Sequence, residues 1–265
     1  MKNVSKMTKL VLFAALLIAV QSPLTLFASG GGEKTTLTLA AAASLKNVFD
    51  GKLIPQFQAK HSNIKIEGTY DSSGKLQTQI ENGLAADVFF SAAPAQMNAL
   101  VTGGFVNAED VNKLLQNKLV LIKKKGSTTT VSDFASAAKA KTIALGDPKS
   151  VPAGQYAQAA FTKLGNWAAV NAAGKVSLGT NVTEVLGWVA AGSAEVGVVY
   201  ATDAAFNKDV EVIAVLQDGV LAEPAIYPVA VTAKSEHPEA AKLFVQYLAS
   251  PDGIAVFKEY GFIEN

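Results

Sequence analysis

Four short segments of the chain place small, uncharged hydrogen-bond donors where a predicted strand or loop leads into a predicted helix. They are residues 42–45 (AASL), 71–74 (DSSG), 151–154 (VPAG) and 181–184 (NVTE). The start of a helix offers unpaired backbone N–H groups and the positive end of the helix dipole. Four such starts around one cleft can bind an anion without a positively charged side chain. The chain contains no arginine, and this combination indicates recognition of an anion and not catalysis.

Each of these segments also has a purely structural interpretation. The Ser44 hydroxyl could cap the first long helix, and the serines of segment 71–74 could form a turn with a cap. Asn181 and Glu184 match a capping box, which leaves Val182 only its backbone N–H to offer a ligand. From the residues alone, the capping and ligand-binding interpretations both stay open.

Three further residues bear on the same cleft. Pro152 suits the first turn of a helix, and Gly154 lets a ligand approach the backbone closely because it has no side chain. Tyr200 ends a predicted apolar strand. The simplest interpretation places its ring in the hydrophobic core. Its hydroxyl needs a polar partner, which a cleft could supply.

The N-terminus predicts export. Three lysines precede an uninterrupted apolar run over residues 10–20, and small residues follow at 28–30. This pattern is typical of a cleavable signal peptide, here residues 1–30. Ser29 stands where a lipoprotein signal has its cysteine, so either a lipid anchor is absent or a cysteine has been replaced. We expect the protein in the periplasm or at the outer face of the cytoplasmic membrane.

Composition limits the function classes. The chain is 49% apolar with a formal charge of +1, which permits good cores and shows no basic surplus for a nucleic-acid partner. The absence of cysteine excludes disulfides, a thiolate nucleophile and a zinc site built on sulfur. His61 and His237 lie in polar segments and are interpreted as solvated residues without a catalytic role.

Strand and helix alternate along the whole body of the chain, which predicts an α/β fold with parallel-rich sheets flanked by helices. The predicted strands are 36–41, 64–69, 87–91, 118–122, 142–145, 175–178, 195–200 and 226–232, and the main predicted helices begin at 44, 74, 238 and 251. They form two strand–helix series, so we expect two lobes. Lobe I would comprise residues 34–117 plus 227–265, and lobe II residues 118–226. Ligands bind at the carboxyl ends of strands in such sheets, where all four donor segments lie.

Six segments, taken in order, resemble a known family. They are LAAAASL at 39–45, YDSSG at 70–74, ADVFFSA at 86–92, GDPKSVPAG at 146–154, GVVY at 197–200 and YPVAV at 227–231. Together they resemble the periplasmic molybdate-binding proteins that serve ATP-driven importers. The resemblance covers essentially the whole chain after the signal peptide, and segment 146–154 is its most specific part.

The resemblance implies a two-lobed periplasmic binding protein of type II, which closes over a tetrahedral oxyanion and delivers it to a membrane permease. Carried over position by position, the contacts would be the hydroxyl and N–H of Ser44 and Ser73, the N–H of Ala153 and Val182, and the Tyr200 hydroxyl. The ligand would be molybdate or tungstate, with the metal bound only as its oxyanion. No cofactor and no nucleic acid would be needed, and the protein would be a monomer.

One position departs from the family pattern. Residue 74 is glycine where many relatives carry another serine, which puts a third hydroxyl contact in doubt. The remaining neutral donors favour a fully deprotonated dianion, because a protonated oxyanion such as hydrogen phosphate would set donor against donor. Sulfate is smaller, so it would stretch several hydrogen bonds in a rigid cavity. Tungstate should bind about as well as molybdate.

Other functions fit the residues less well. A sulfate or other oxyanion carrier is the main alternative, because the sequence does not measure the cavity. An amino-acid or carboxylate carrier commonly uses an arginine fork. An exported hydrolase using Ser44 or Ser73 lacks the Gly-x-Ser-x-Gly elbow and a credible histidine. No pair of carboxylates stands out for a glycosidase.

Overall fold

The computed structural model describes residues 34–265, which form two mixed β-sheets flanked by helices. The first sheet has the strand order β11-β4-β10-β3-β1-β2 and the second β7-β6-β8-β5-β9. The first comprises β1 (Thr35–Ala42), β2 (Ile64–Asp71), β3 (Val88–Phe90), β4 (Asn112–Asn117), β10 (Ala225–Val231) and β11 (Ile263–Glu264). The second comprises β5 (Leu119–Lys124), β6 (Ile143–Gly146), β7 (Val176–Gly179), β8 (Val196–Tyr200) and β9 (Val210–Val215).

Ten α-helical segments lie among the described residues. They are α1 (Lys46–Val48), α2 (Ile54–Lys60), α3 (Ser73–Glu81), α4 (Pro94–Thr102), α5 (Pro152–Lys163), α6 (Trp167–Val170), α7 (Val182–Ala191), α8 (Ala201–Ala205), α9 (Pro238–Leu248) and α10 (Pro251–Glu259). A π-helical turn, Phe49–Leu53, separates α1 from α2. Pro55 follows this turn and has no N–H to donate to it, which accounts for a break there in the regular helical bonding. Over residues 34–265 no helix combines the length and apolar character needed to cross a bilayer.

The parallel strands bring the donor segments together. β1 pairs in parallel with β2 so that Ala42 lies opposite Asp71, and the residues after both strands therefore share one edge of the first sheet. In the second sheet β6 pairs in parallel with β7, with Gly146 opposite Gly179. Segments 151–154 and 181–184 consequently leave the same edge of that sheet.

β3 also pairs in parallel with β1, and β8 with β6, while the remaining strand pairs are antiparallel. β10 runs antiparallel to β3 and β4, and β5 runs antiparallel to β8 and β9. The predicted two-lobed α/β fold is confirmed, with sheets that are mixed and not wholly parallel. The chain passes from the first sheet to the second at residue 118 and returns over residues 216–224.

An aromatic cluster packs the C-terminal helices against the first sheet. Phe49 lies 6.2 Å from Phe244 of α9 and 6.1 Å from Phe257 of α10, between ring centroids, and Phe90 of β3 lies 5.9 Å from Phe49. All four side chains are fully buried. The lobe limits given above stay a prediction, and the predicted signal peptide lies outside the described residues.

Candidate anion-binding site

The four donor segments meet at one small cavity between the two sheets. The residues that line it are Ala42, Ala43, Ser44, Asp71, Ser72, Ser73, Ala92, Val151, Pro152, Ala153, Val182 and Tyr200. The space is about 10 Å³, close to the room that one buried water requires. The residues that line the cavity from the first sheet therefore lie close to those from the second sheet.

Ser44 contributes a hydroxyl from the first sheet. It lies in a 3-10 turn, Ala43–Leu45, directly after β1, and the residue that precedes α1 is Leu45 and not Ser44. Its Oγ instead lies 3.0 Å from the Tyr227 hydroxyl. The capping interpretation of Ser44 is therefore wrong, and its side chain belongs to the cavity wall.

Ser72 and Ser73 contribute two further hydroxyls at the start of α3. Ser73 Oγ accepts a hydrogen bond from the Ala92 N–H at 2.9 Å, so its own hydrogen remains available to another acceptor. Ser72 precedes the helix but its side chain forms no cap. Its Oγ is buried and has no hydrogen-bond partner among the described residues. A buried hydroxyl without a partner is costly, and a ligand oxygen in the cavity would satisfy it.

The second sheet contributes backbone donors from two helix starts. Ala153 lies in the first turn of α5 and Val182 opens α7, where N–H groups have no partner within the helix. Asn181 Oδ1 accepts from the Glu184 N–H at 3.0 Å, which confirms that it caps α7. The Glu184 carboxylate accepts from the Thr180 N–H at 2.6 Å. These contacts fix the orientation of the Val182 N–H.

Gly154 has a structural role and not the predicted ligand role. A Cβ at this position would lie 2.0 Å from the Gly146 carbonyl oxygen, so glycine is required for α5 to pack against β6. Gly154 is also absent from the described cavity lining. The prediction that it admits a ligand was therefore wrong, and the close approach it permits is to its own sheet.

Tyr200 closes the cavity at the end of β8. It is 1% exposed, and burial raises the pKa of its hydroxyl well above the ordinary range, so the group is a protonated donor at neutral pH. The hydroxyl donates to the Ala92 carbonyl at 3.4 Å, which is long for a hydrogen bond of this type. Such a weak bond is readily exchanged for one to a ligand.

The charge of the site comes from one compensated carboxylate. Asp71 Oδ1 accepts from the Ser72 N–H at 2.8 Å and from Asn181 Nδ2 at 3.2 Å. Lys75 Nζ lies 3.4 Å from the same oxygen. No lysine is among the described lining residues, so an anion there would be held by neutral donors.

Comparison with known proteins fits this geometry. A family model described as bacterial extracellular solute-binding protein matches residues 37–263. The chain belongs to this family. As a solute-binding protein, it is expected to hold its ligand between two lobes, as the cavity position indicates.

Individual relatives indicate which group of solute-binding proteins this chain resembles. YvgL of Bacillus subtilis, provisionally named an ABC transporter substrate-binding lipoprotein, is 38% identical over 233 residues, 87% of each protein. The molybdate-binding protein ModA of Escherichia coli is 33% identical over 236 residues, 87% of this chain and 90% of ModA. The solved substrate-binding domain of a provisionally assigned molybdenum ABC transporter from Clostridium difficile is 35% identical with a TM-score of 0.66, covering 87% and 99% of the two chains. The resemblance to the molybdate-binding family is confirmed.

All five contact residues predicted for this solute-binding protein line the same cavity: Ser44, Ser73, Ala153, Val182 and Tyr200. Their roles as ligand contacts stay a prediction. Ser72 was not among them, although its place beside Ser73 in a serine pair before a helix was the available signal. Tyr227, whose hydroxyl lies 3.0 Å from Ser44 Oγ, carried no such signal.

Proposed function

We propose that this chain is the extracytoplasmic receptor that captures molybdate, and tungstate equally, and delivers it to the permease of an ABC importer. The observation that carries the proposal is the Ser72 hydroxyl, which is buried in the cavity wall without a partner among the described residues. It lies beside the Ser44 and Ser73 hydroxyls and opposite the first turns of α5 and α7. The Asp71 carboxylate in the lining is already engaged by the Ser72 N–H, Asn181 and Lys75, and the remaining neutral donors suit a dianion that carries no proton.

Selectivity follows from protonation and size. A hydrogen phosphate ion would direct its O–H at a donor, which leaves both groups unpaired. Sulfate carries no proton but has shorter bonds to its oxygens than molybdate, so fewer of the donors would reach it at good length. A sulfate carrier is the second candidate, because sulfate is also a dianion without a proton and would suit the same neutral donors.

The same residues support a carrier without chemistry of its own. The ligand metal would be bound only through its oxygens, and no resident cofactor is needed to hold it. Neither histidine lies in the cavity lining, so the serines lack the histidine base of a Ser-His-Asp arrangement. We propose a monomer located in the periplasm or at the outer face of the cytoplasmic membrane.

Calorimetry of residues 31–265 with four anions tests this proposal. Molybdate and tungstate should bind with one site per chain, and sulfate and phosphate should bind much more weakly. Equal affinity for sulfate would reject the size argument and favour the second candidate. Absence of binding by all four anions would reject the oxyanion function, and turnover of an ester or glycoside substrate would reject the assignment as a carrier.

A further inference from the structure

A hydrogen-bonded chain behind the cavity ends at the Ser44 hydroxyl. Asn117 Nδ2 lies 3.3 Å from the Tyr227 hydroxyl, which lies 3.0 Å from Ser44 Oγ. Asn117 is 4% exposed and Tyr227 is 0% exposed. Neither residue lines the cavity, so both can act on a ligand only through lining residues, of which Tyr227 contacts Ser44 and Tyr200.

The orientation of Asn117 is fixed by a backbone donor. Its Oδ1 accepts from the Lys118 N–H at 2.9 Å, and a flipped amide would set N–H against N–H. Its Nδ2 therefore faces both Tyr227 and Thr202, whose Oγ1 accepts at 2.9 Å. Asn117 acts as a donor to the Tyr227 hydroxyl.

The Tyr227 hydroxyl keeps its proton, because burial raises its pKa well above the ordinary range. Its oxygen accepts from Asn117, and either hydroxyl can donate in the 3.0 Å bond between Tyr227 and Ser44 Oγ. When Tyr227 is the donor, Ser44 receives a hydrogen bond from behind and its own hydrogen is left for the cavity. Polarisation along such a chain strengthens the terminal donor.

We propose that Asn117 and Tyr227 are positioning residues that hold Ser44 as a donor and thereby exclude protonated oxyanions. The inference rests on the proposed function and adds a cause for its selectivity. Without the Tyr227 hydroxyl, Ser44 Oγ could rotate and accept a proton from hydrogen phosphate. The wild-type direction of the chain withholds that acceptor.

A comparison of the affinities for sulfate and hydrogen phosphate tests the direction of the hydrogen bond at Ser44 separately from other effects. At about pH 8 both are mostly dianions of similar size, and they differ by one proton. A general loss of packing or of charge stabilisation would lower the affinity for both by the same factor. The ratio of the two affinities therefore reports on the direction of the hydrogen bonds and is insensitive to a purely structural defect.

The experiment measures displacement of molybdate by sulfate and by inorganic phosphate in the wild type and in Tyr227→Phe. The variant should bind molybdate several-fold more weakly, and its phosphate-to-sulfate affinity ratio should rise by about tenfold, the equivalent of one hydrogen bond. Tyr247→Phe is the matched control, because its hydroxyl bonds to Gln56 at 3.1 Å on another part of the molecule, and it should leave the ratio unchanged.

Asn117→Leu provides an independent arm if Tyr227→Phe does not fold. It removes the donor that fixes Tyr227, so the ratio should shift in the same direction. An unchanged ratio in the folded variants, with sulfate and phosphate weakened alike, overturns the inference and leaves the proposed function intact. Failure of the wild type to bind molybdate contradicts the proposed function itself.

Discussion

At the scale of residues, Ser72 and Ser73 are neighbours with different roles in the cavity wall. Ser73 Oγ accepts from a buried backbone N–H, so it contributes to the fold as well as to any ligand. Ser72 Oγ has no partner among the described residues, so it contributes only when a ligand is bound. The two alanine variants therefore separate stability from binding.

Ser72→Ala should lower molybdate affinity by about 1.5–3 kcal/mol, the usual range for a hydrogen bond to a charged group, without loss of stability. Ser73→Ala should cost a similar amount of affinity and also about 1–3 kcal/mol of stability, because the Ala92 N–H loses its acceptor. Calorimetry and denaturant unfolding measure the two quantities. Equal stability losses in both variants would contradict the difference between the two serines.

Asp203 is a second residue with a testable role. It is buried, and its Oδ2 accepts from the Tyr200 N–H at 3.1 Å. Burial raises the pKa of its carboxyl to about 7, above the ordinary value that applies in the unfolded chain. Between these two pKa values the folded state binds more protons, so this group stabilises the fold fully at low pH and less as pH rises toward 7.

Asp203→Asn should remove that dependence while it keeps an acceptor for the Tyr200 N–H. We expect the wild type to lose about 2–4 kcal/mol more of its free energy of unfolding between pH 4 and 7 than the variant does. Urea unfolding at several pH values measures the difference. Parallel pH profiles for the two proteins would show that Asp203 titrates normally.

At the scale of elements, the start of α3 contacts the loop before α5 across the cleft. The Gly74 N–H donates to the Ser150 carbonyl at 2.9 Å, and a Cβ at Gly74 would lie 2.5 Å from that oxygen and 2.7 Å from the Ser150 Cα. The glycine that departs from the family pattern is therefore required for this closed contact. A serine there would not fit without separating the two walls.

Gly74→Ala should weaken molybdate binding by more than about tenfold, since a backbone clash of this size is relieved only if the lobes stay apart. We expect the stability of the free protein to change little, because movement of the two lobes apart would relieve the clash. Gly187→Ala is the matched control: it lies within α7 and its Cβ would meet nothing within 4 Å. Full affinity in Gly74→Ala would mean that the ligand does not require this contact.

The sequence predicted the elements that carry the site better than those that complete the sheets. β1, β6 and β8 contain short apolar runs and β2 begins with isoleucines that alternate with charged residues. Each of these patterns is local. β4 (Asn112–Asn117) was not predicted, because its asparagines and lysine mask an edge of the core that forms only when β10 pairs with it. Strand direction was equally inaccessible, since it depends on pairing between strands that lie far apart in the sequence.

Among the site residues, too, those with a local sequence pattern could be predicted and those that depend on distant contacts could not. Helix starts and their donors are encoded within four residues, so Ser44, Ser73, Ala153 and Val182 could be named in advance. The partners that orient them lie far along the chain: Tyr227 is 183 residues from Ser44. No local pattern reports such a contact, and the misassigned role of Gly154 has the same cause.

At the scale of the whole molecule, the donors are divided between the two lobes. Ser44, Ser72 and Ser73 follow strands of the first sheet, and Ala153, Val182 and Tyr200 belong to the second. A ligand that uses both sets favours the closed arrangement, because it binds that state more tightly than the open one. The chain crosses between the sheets twice, which provides a hinge of two segments.

Molybdate should therefore make the protein more compact and more stable to heat. Small-angle scattering should show a smaller radius of gyration with ligand, and the melting temperature should rise with molybdate concentration by mass action. Sulfate at equal concentration should produce neither change. A rise in melting temperature without compaction would indicate that the free protein is already closed.

The location of the ligand tests the central claim most directly. A crystal structure of residues 31–265 grown with molybdate, with diffraction data collected at the molybdenum absorption edge, would place the metal without interpretation of its surroundings. We predict one anomalous peak between the lobes, with its oxygens within hydrogen-bond reach of the Ser44, Ser72 and Ser73 hydroxyls and the Ala153 and Val182 N–H groups. A peak elsewhere on the protein, or none in crystals that bind molybdate in solution, would contradict the assignment of this cavity as the binding site.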